Sequence, residues 1–205
     1  MQATIDHLVV TAGTLDAGLA HVAACLGQDL DPGGQHPVMG THNRLLSLGP
    51  DLYLEVIAAD PAQPRPGWPR WFDLDRFTGP PRLTNWICRC ADLDAELALS
   101  PPGTGTPVAL ARGDFRWKMA VPATGILPFD NAFPALIQWQ GDAHPAPRLP
   151  DVGIRLTGLE IAHPQAAALH SALQGRLNDP RIQIVPGPPA LRARFATPQG
   201  ERRLG

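Results

Sequence analysis

A pattern that occurs twice limits the folds open to this chain. Ile5-Asp6-His7-Leu8-Val9-Val10 alternates between two faces as a strand does: His7 shares a face with Ile5 and Val9, while Leu8 and Val10 face away. A helix is expected next, with Thr14 as its N-cap, Leu15, Leu19, Val22 and Leu26 at helical spacing, and Gly27 as its C-cap. Thr41 to Leu48 and the segment 52–58 read as strands joined by a tight turn at Pro50-Asp51. The spacing then restarts. Leu83-Thr84-Asn85-Trp86-Ile87-Cys88 repeats the first strand, and Asp92 to Leu97 stands where the first helix stood. Asp114 to Val121 and Phe133 to Gln140 follow as strands. A repeat of this kind implies two similar modules packed together with a site between them.

The expected organisation is a first βαβββ module over 1–60, a linker with a short helix near 70–77 over 61–82, and a second βαβββ module over 83–142. A C-terminal βαββ extension over 150–205 packs on the same domain: a strand over 156–162, a helix over 164–177 and strands over 181–185 and 190–196. Prolines cluster at 61–69, 101–107, 145–150 and 186–189 and read as loops, as does the Gly-rich Asp31-Pro32-Gly33-Gly34. The fold class is α+β.

The net charge of -2 is spread along the chain, which argues against nucleic acid or an anionic membrane as partner. No apolar run is long enough to span a bilayer, and MQATIDHLVV lacks the basic region and cleavage site of a signal peptide. Cys25, Cys88 and Cys90 are odd in number and not spaced as a disulfide framework or zinc knuckle, so a reducing cytoplasm is expected.

The chemistry gathers in the first module. In Leu52-Tyr53-Leu54-Glu55-Val56-Ile57, a carboxylate sits at the centre of an apolar strand, where burial is costly without a partner. His7, near the middle of its own strand, is the candidate partner: the two could reach one divalent ion. The alternative is a satisfied core histidine and a solvated strand carboxylate. Glu55 reads also as a general base, with Arg44, Arg116 or Lys118 taking negative charge. His36, in an irregular segment before Pro37, is a pocket candidate, and His42 and Asn43 lie close by in sequence.

Several blocks together resemble the vicinal oxygen chelate superfamily, and within it the glyoxalase-like domain family. These are IDHLVV at 5–10, GGQHPVMGTHNRLLSLG at 33–49, YLEVI at 53–57, ARGDFRWKMAVP at 111–122, GILPFDNAFPALIQW at 125–139 and LTGLEIAHP at 156–164. The resemblance implies paired modules forming a cupped mixed sheet around a cavity, with metal ligands on the first and last strands of each module. Carried over, it makes His7 and Glu55 the metal ligands of the first module and puts the amides Asn85 and Gln138 at the equivalent places in the second. A divalent ion (Zn, Fe, Mn or Ni) or none is the implied cofactor: amides are weak ligands beside imidazole and carboxylate, which leaves open a half-site, an anion-and-polar pocket, or His36 or His42 as third ligand. The implied function is small-molecule binding, with lyase, isomerase or dioxygenase chemistry on a substrate with neighbouring oxygens; since two modules in one chain can complete a cavity, a monomer or a homodimer is expected. Glu55 is then catalytic, and His36, His42, Asn43, Arg44, Asn85, Arg116, Lys118 and Gln138 contact substrate. The competing reading is a sequestering module without turnover, with Trp86, Trp117 and Trp139 against an aromatic or acyl ligand.

Overall fold

The computed structural model describes residues 3–205; Met1 and Gln2, part of the stretch read for a leader, lie outside them. The first module runs β1 (Thr4–Thr11), α1 (Leu15–Leu26), β2 (Asp31–His36), β3 (Thr41–Ser47) and β4 (Tyr53–Ala59). The second repeats it with β5 (Arg82–Arg89), α2 (Leu93–Ala98), β6 (Thr106–Arg112), β7 (Phe115–Val121) and β8 (Ala135–Trp139). A third unit comprises β9 (Arg155–Ala162), α3 (Ala166–Leu173), β10 (Ile182–Val185), β11 (Ala190–Thr197) and β12 (Gly200–Leu204). No helix among the described residues is long and apolar enough to cross a membrane.

The first two modules share one eight-stranded mixed sheet in the order β2-β3-β4-β1-β5-β8-β7-β6. Its centre is the antiparallel pair β1/β5, and each of these strands is flanked by a parallel neighbour, β4 and β8. The sheet curls so that its two edge strands, β2 and β6, approach one another. The fold is therefore α+β, a curled half-barrel with a second four-stranded sheet, β10-β9-β11-β12, at the C-terminus.

Alternation sorts the side chains into two cores. Leu8, Val10, Leu54, Val56, Trp86, Cys88 and Phe133 face outward and pack with α1, α2 and the C-terminal sheet, whose Leu159, Ile161 and Phe195 join the same cluster. Val9, Ile57, Ile87, Trp117, Met119 and Ile137 face the concave side under Trp71 and Phe72. Burial of this apolar area is the main driving force for closing the layers. The first helix has the expected caps: Thr14 Oγ1 accepts from Ala17 N–H, and Gly27 takes the left-handed conformation at φ 70°.

Four expectations change. The Gly-rich 31–34 segment is an edge strand, irregular because the register shifts between Pro32 and Gln35. Part of the Pro-marked 101–107 stretch opens strand β6, where Pro107 is tolerated because an edge strand leaves donors unpaired. The helix near 70–77 is only a 3-10 turn at Trp71–Asp73. The C-terminal unit gains β12, paired antiparallel with β11, and α3 is shorter than 164–177.

Candidate functional site

A β-bulge opens the site. The β1/β5 register shifts between Ile5 and His7, so Asp6 is the extra residue and escapes strict alternation. Asp6, fully buried, thus reaches the same side as His7, and His7 Nδ1 donates to its Oδ1 at 2.6 Å. The other oxygen, Oδ2, accepts from Trp139 Nε1 at 2.9 Å and His144 Nε2 at 3.0 Å, with Arg89 at 3.6 Å. His144 Nδ1 accepts from Ala146 N–H, which leaves Nε2 to carry the donated proton. Tyr53 stacks on the His7 ring at 4.5 Å.

The parallel β1/β4 pairing sets His7 beside Tyr53 and Val9 beside Glu55 on one face. His7 Nε2 then lies 3.6 Å from Glu55 Oε2. Glu55 Oε1 accepts from the Asn43 side-chain amide, and Asn43 Oδ1 accepts from Gly34 N–H at 2.7 Å and Arg112 Nη1 at 3.2 Å. The amide orientation is settled by its partners, since a carboxylate only accepts and a guanidinium only donates. Arg112 also donates to His36 Nε2 at 3.4 Å, so His36 keeps its proton on Nδ1, facing Thr41 Oγ1 at 3.0 Å.

Charge follows from these contacts. Burial opposes charge on His7, but the hydrogen bonds to Asp6 and Glu55 prevail and raise its pKa to about 9. Burial likewise opposes ionisation of Asp6 and Glu55, yet His144 and His7 hold Asp6, and His7 and Asn43 hold Glu55, below their ordinary values. His36 goes the other way: burial lowers it to about 4, the Glu55 charge resists, and Arg112 adds to the lowering. At neutral pH the site is an imidazolium between two carboxylates, with a neutral imidazole and a guanidinium opposite.

His7, Glu55, His36, Asn43 and Arg112 line a cavity of about 30 Å³ with Tyr53, Trp71, Trp117, Trp139 and Pro145, while Asp6 stands behind His7 and outside its wall. That holds a water or two, so any larger ligand requires side chains to move. A hollow of about 290 Å³ beside Glu160, Arg192, Arg194 and Arg203 lies on the C-terminal sheet, away from this cluster.

Of the residues singled out from sequence, His7, Glu55, His36 and Asn43 converge here. Asn85 faces the inner side opposite Val9 but does not line the cavity, and neither atom of its buried amide has a partner. Gln138 faces α2, accepting from Leu93 N–H and donating to Ala91 O. Lys118 pairs with Gln138 across β7/β8 and shares that outer face, and Arg116 donates to Gly113 O and Phe115 O at the strand's end. Arg44 pairs with Val56 on the outer face, and His42 lies near Asp60, 4.0 Å away. Of the three tryptophans, Trp117 and Trp139 line the cavity, while Trp86 packs outward and donates to Ala132 O. Sequence reasoning missed Asp6, His144 and Arg112. Strict alternation hid Asp6, and Arg112 stood inside the quoted block at 111–122 without a reason to choose it over Arg116.

The donor set does not fit a divalent ion. His7 Nε2 and Glu55 Oε2 are spaced as two ligands of one ion would be, but among the described residues no three His, Cys, Asp or Glu side chains converge as a metal group. The second module adds no imidazole, thiolate or carboxylate: Gln138 is turned to the helix, and Asn85, an amide, does not line the cavity. The Arg112 cation stands beside His36, where it would repel a divalent ion.

A comparison with curated proteins finds no significant match. Among solved structures, a hypothetical protein from Staphylococcus aureus is 14% identical with a TM-score of 0.57, over 84% of this chain and 74% of that one. It shares the fold. Methylmalonyl-CoA epimerase from Mycobacterium tuberculosis is 20% identical over 68% of this chain and 88% of its own, with a TM-score of 0.42. A hypothetical protein from Bacillus halodurans is 13% identical over 70% and 98%, with a TM-score of 0.43. The family model described as "Glyoxalase-like domain" matches residues 5–177. On that match, across most of its length, the chain belongs to the glyoxalase-like domain family.

Proposed function

We propose that the cleft between the two modules binds a small molecule with neighbouring oxygens, one of them anionic, and moves a proton on the carbon beside them. The observation that carries this reading is the bridge made by Asn43: one end of its amide holds the ionised Glu55, the other holds Arg112. A base and a cation are thus fixed at opposite ends of one side chain, facing one cavity. Glu55 accepts the proton, and Arg112 and the His7 imidazolium face the oxygen on which negative charge develops. His36, neutral and donating to Thr41, orients Arg112 through its free nitrogen. Isomerase or lyase chemistry that begins with proton abstraction uses only these groups. The free thiols Cys25, Cys88 and Cys90 suit a reducing compartment, which supports a cytoplasmic protein.

The test is solvent deuterium incorporation into a panel of 2-oxo and 2-hydroxy acids, followed by proton NMR. Exchange at the carbon next to the carbonyl, lost about 100-fold or more in Glu55→Gln with binding retained, supports the reading. Exchange unaffected by Glu55→Gln overturns it. The sequestering reading is favoured by one observation: both nitrogens of His7 and both oxygens of Glu55 already have partners. Tight binding without exchange in any member would decide for it.

A further inference from the structure

We infer that the ligand has two parts, an anionic head at Arg112 and an uncharged apolar tail that lies in a groove on the seam between the sheet's edges; this rests on the reading above. On β6, Val108, Leu110 and Arg112 alternate onto the inner face. Arg112 ends the row at the polar cavity, and among the described residues no carboxylate lies within 4.0 Å of its guanidinium. Val108, at the other end, lines a hollow of about 340 Å³ with Val38, Trp68, Pro69, Val121 and Pro122. No residue of that hollow is charged.

Two further observations tie the groove to the site. The exposed large hydrophobics of the described chain are Val38, Trp68 and Leu99, and two of the three stand in this groove. A concave, uncharged and mostly apolar hollow beside a few convergent polar groups has the make-up of a small-molecule pocket. The groove is also continuous with the cavity's wall: Met39 lines it and packs in the same cluster as Trp71 and Trp117, which line the cavity. Met39 thus belongs both to the groove and to the core behind the cavity's wall, and an unbranched thioether is the side chain that re-packs most easily. From Arg112 to Val108 is four residues of strand, about 13 Å, which sets the length of ligand needed to fill both sites. The occupant is therefore an acyl or aryl acid, one molecule per chain.

The experiment is calorimetric titration with a homologous series of straight-chain 2-oxo acids, from pyruvate to 2-oxododecanoate, against the wild type, Trp68→Ala and Arg112→Ala. Both substituted groups are at least partly exposed, and circular dichroism checks the fold of each variant. Affinity is expected to rise about fourfold per methylene in the wild type and to level off once the groove is filled. Trp68→Ala is expected to flatten that rise while leaving the shortest acid's affinity unchanged. Short acids that bind through Arg112 with no dependence on chain length overturn the groove and leave the head site standing. Long acids that bind through Trp68 and are indifferent to Arg112→Ala overturn the two-part ligand and the anionic head with it. Self-association abolished by Trp68→Ala, with no chain-length dependence, assigns the groove to a second copy and also overturns the inference, as does failure of every acid to bind.

Discussion

Asp6 and His7 are chain neighbours on a strand, yet their side chains meet at 2.6 Å on the same side of the sheet. One bulge makes this possible, by spending one residue without a partner on β5. Its consequence is electrostatic. Asp6 anchors His7 from behind and Glu55 faces it in front, so the imidazole is held as a cation in a place where burial alone would strip its proton. The protein uses a buried charge cluster where a plain core would be cheaper.

The two buried histidines give stability a maximum in pH. His7 has its pKa raised to about 9, so its contribution is fully present below 6.5 and is lost as pH rises through 9. His36 has its pKa lowered to about 4, so the unfolded chain binds more protons between 4 and 6.5, and stability falls as pH drops through that window. Each shift corresponds to roughly 3 kcal/mol. The lowered pKa values of Asp6 and Glu55 add further loss at still lower pH. Urea midpoints measured from pH 4 to 10 should peak near 6.5. Glu55→Gln and Asp6→Asn should each flatten the alkaline limb.

Gly33 and Gly34 should behave differently when changed to alanine. A Cβ on Gly33 would come within 2.4 Å of the Asn43 backbone oxygen, which cannot move without breaking the β2/β3 ladder. A Cβ on Gly34 would meet Arg112 Cδ at 2.6 Å, and a long side chain can swing away. Gly33→Ala is expected to cost about 2 kcal/mol in denaturant unfolding. Gly34→Ala should cost under about 1 kcal/mol but displace Arg112, raising the His36 pKa and weakening anion binding. Thermal melts and histidine NMR titrations separate the two.

The C-terminal unit is latched to the second module through Arg176. Its Nε donates to the buried Glu96 at 2.7 Å, and its Nη atoms reach Leu99 O, Glu96 O and Ser100 Oγ. Arg176→Met leaves a buried carboxylate without its cation and should cost about 3 kcal/mol. Double replacement with Glu96→Gln should recover much of that loss. A single replacement as mild as a surface change would contradict the latch.

Much of the fold was legible because alternation and helical spacing are one-dimensional signals. The strand 5–10, the capped helix from Thr14 to Gly27 and the restart at Leu83 all depend on local periodicity. What stayed hidden depends on pairing. Strand β2 is rich in Gly and Pro and counts as a strand only because β3 lies beside it, and β12 is a short charged edge held by β11. The site divides in the same way. His7, Glu55 and Asn43 could be placed on one face by counting, whereas Asp6 needed a bulge and Arg112 needed the curl that brings β6 to β2. Gln138 shows the converse: the spacing matched Glu55, but its side chain turned to cap the turn before α2.

The protonation state of His7 tests the account most directly. Nitrogen-detected NMR of histidine-labelled protein at pH 7, with His7→Gln for assignment, should show His7 with both ring nitrogens protonated and titrating near pH 9, while His36 stays neutral down to about pH 4. A neutral His7 imidazole at pH 7 would contradict the ion-pair site, and would return to that nitrogen the lone pair a metal needs.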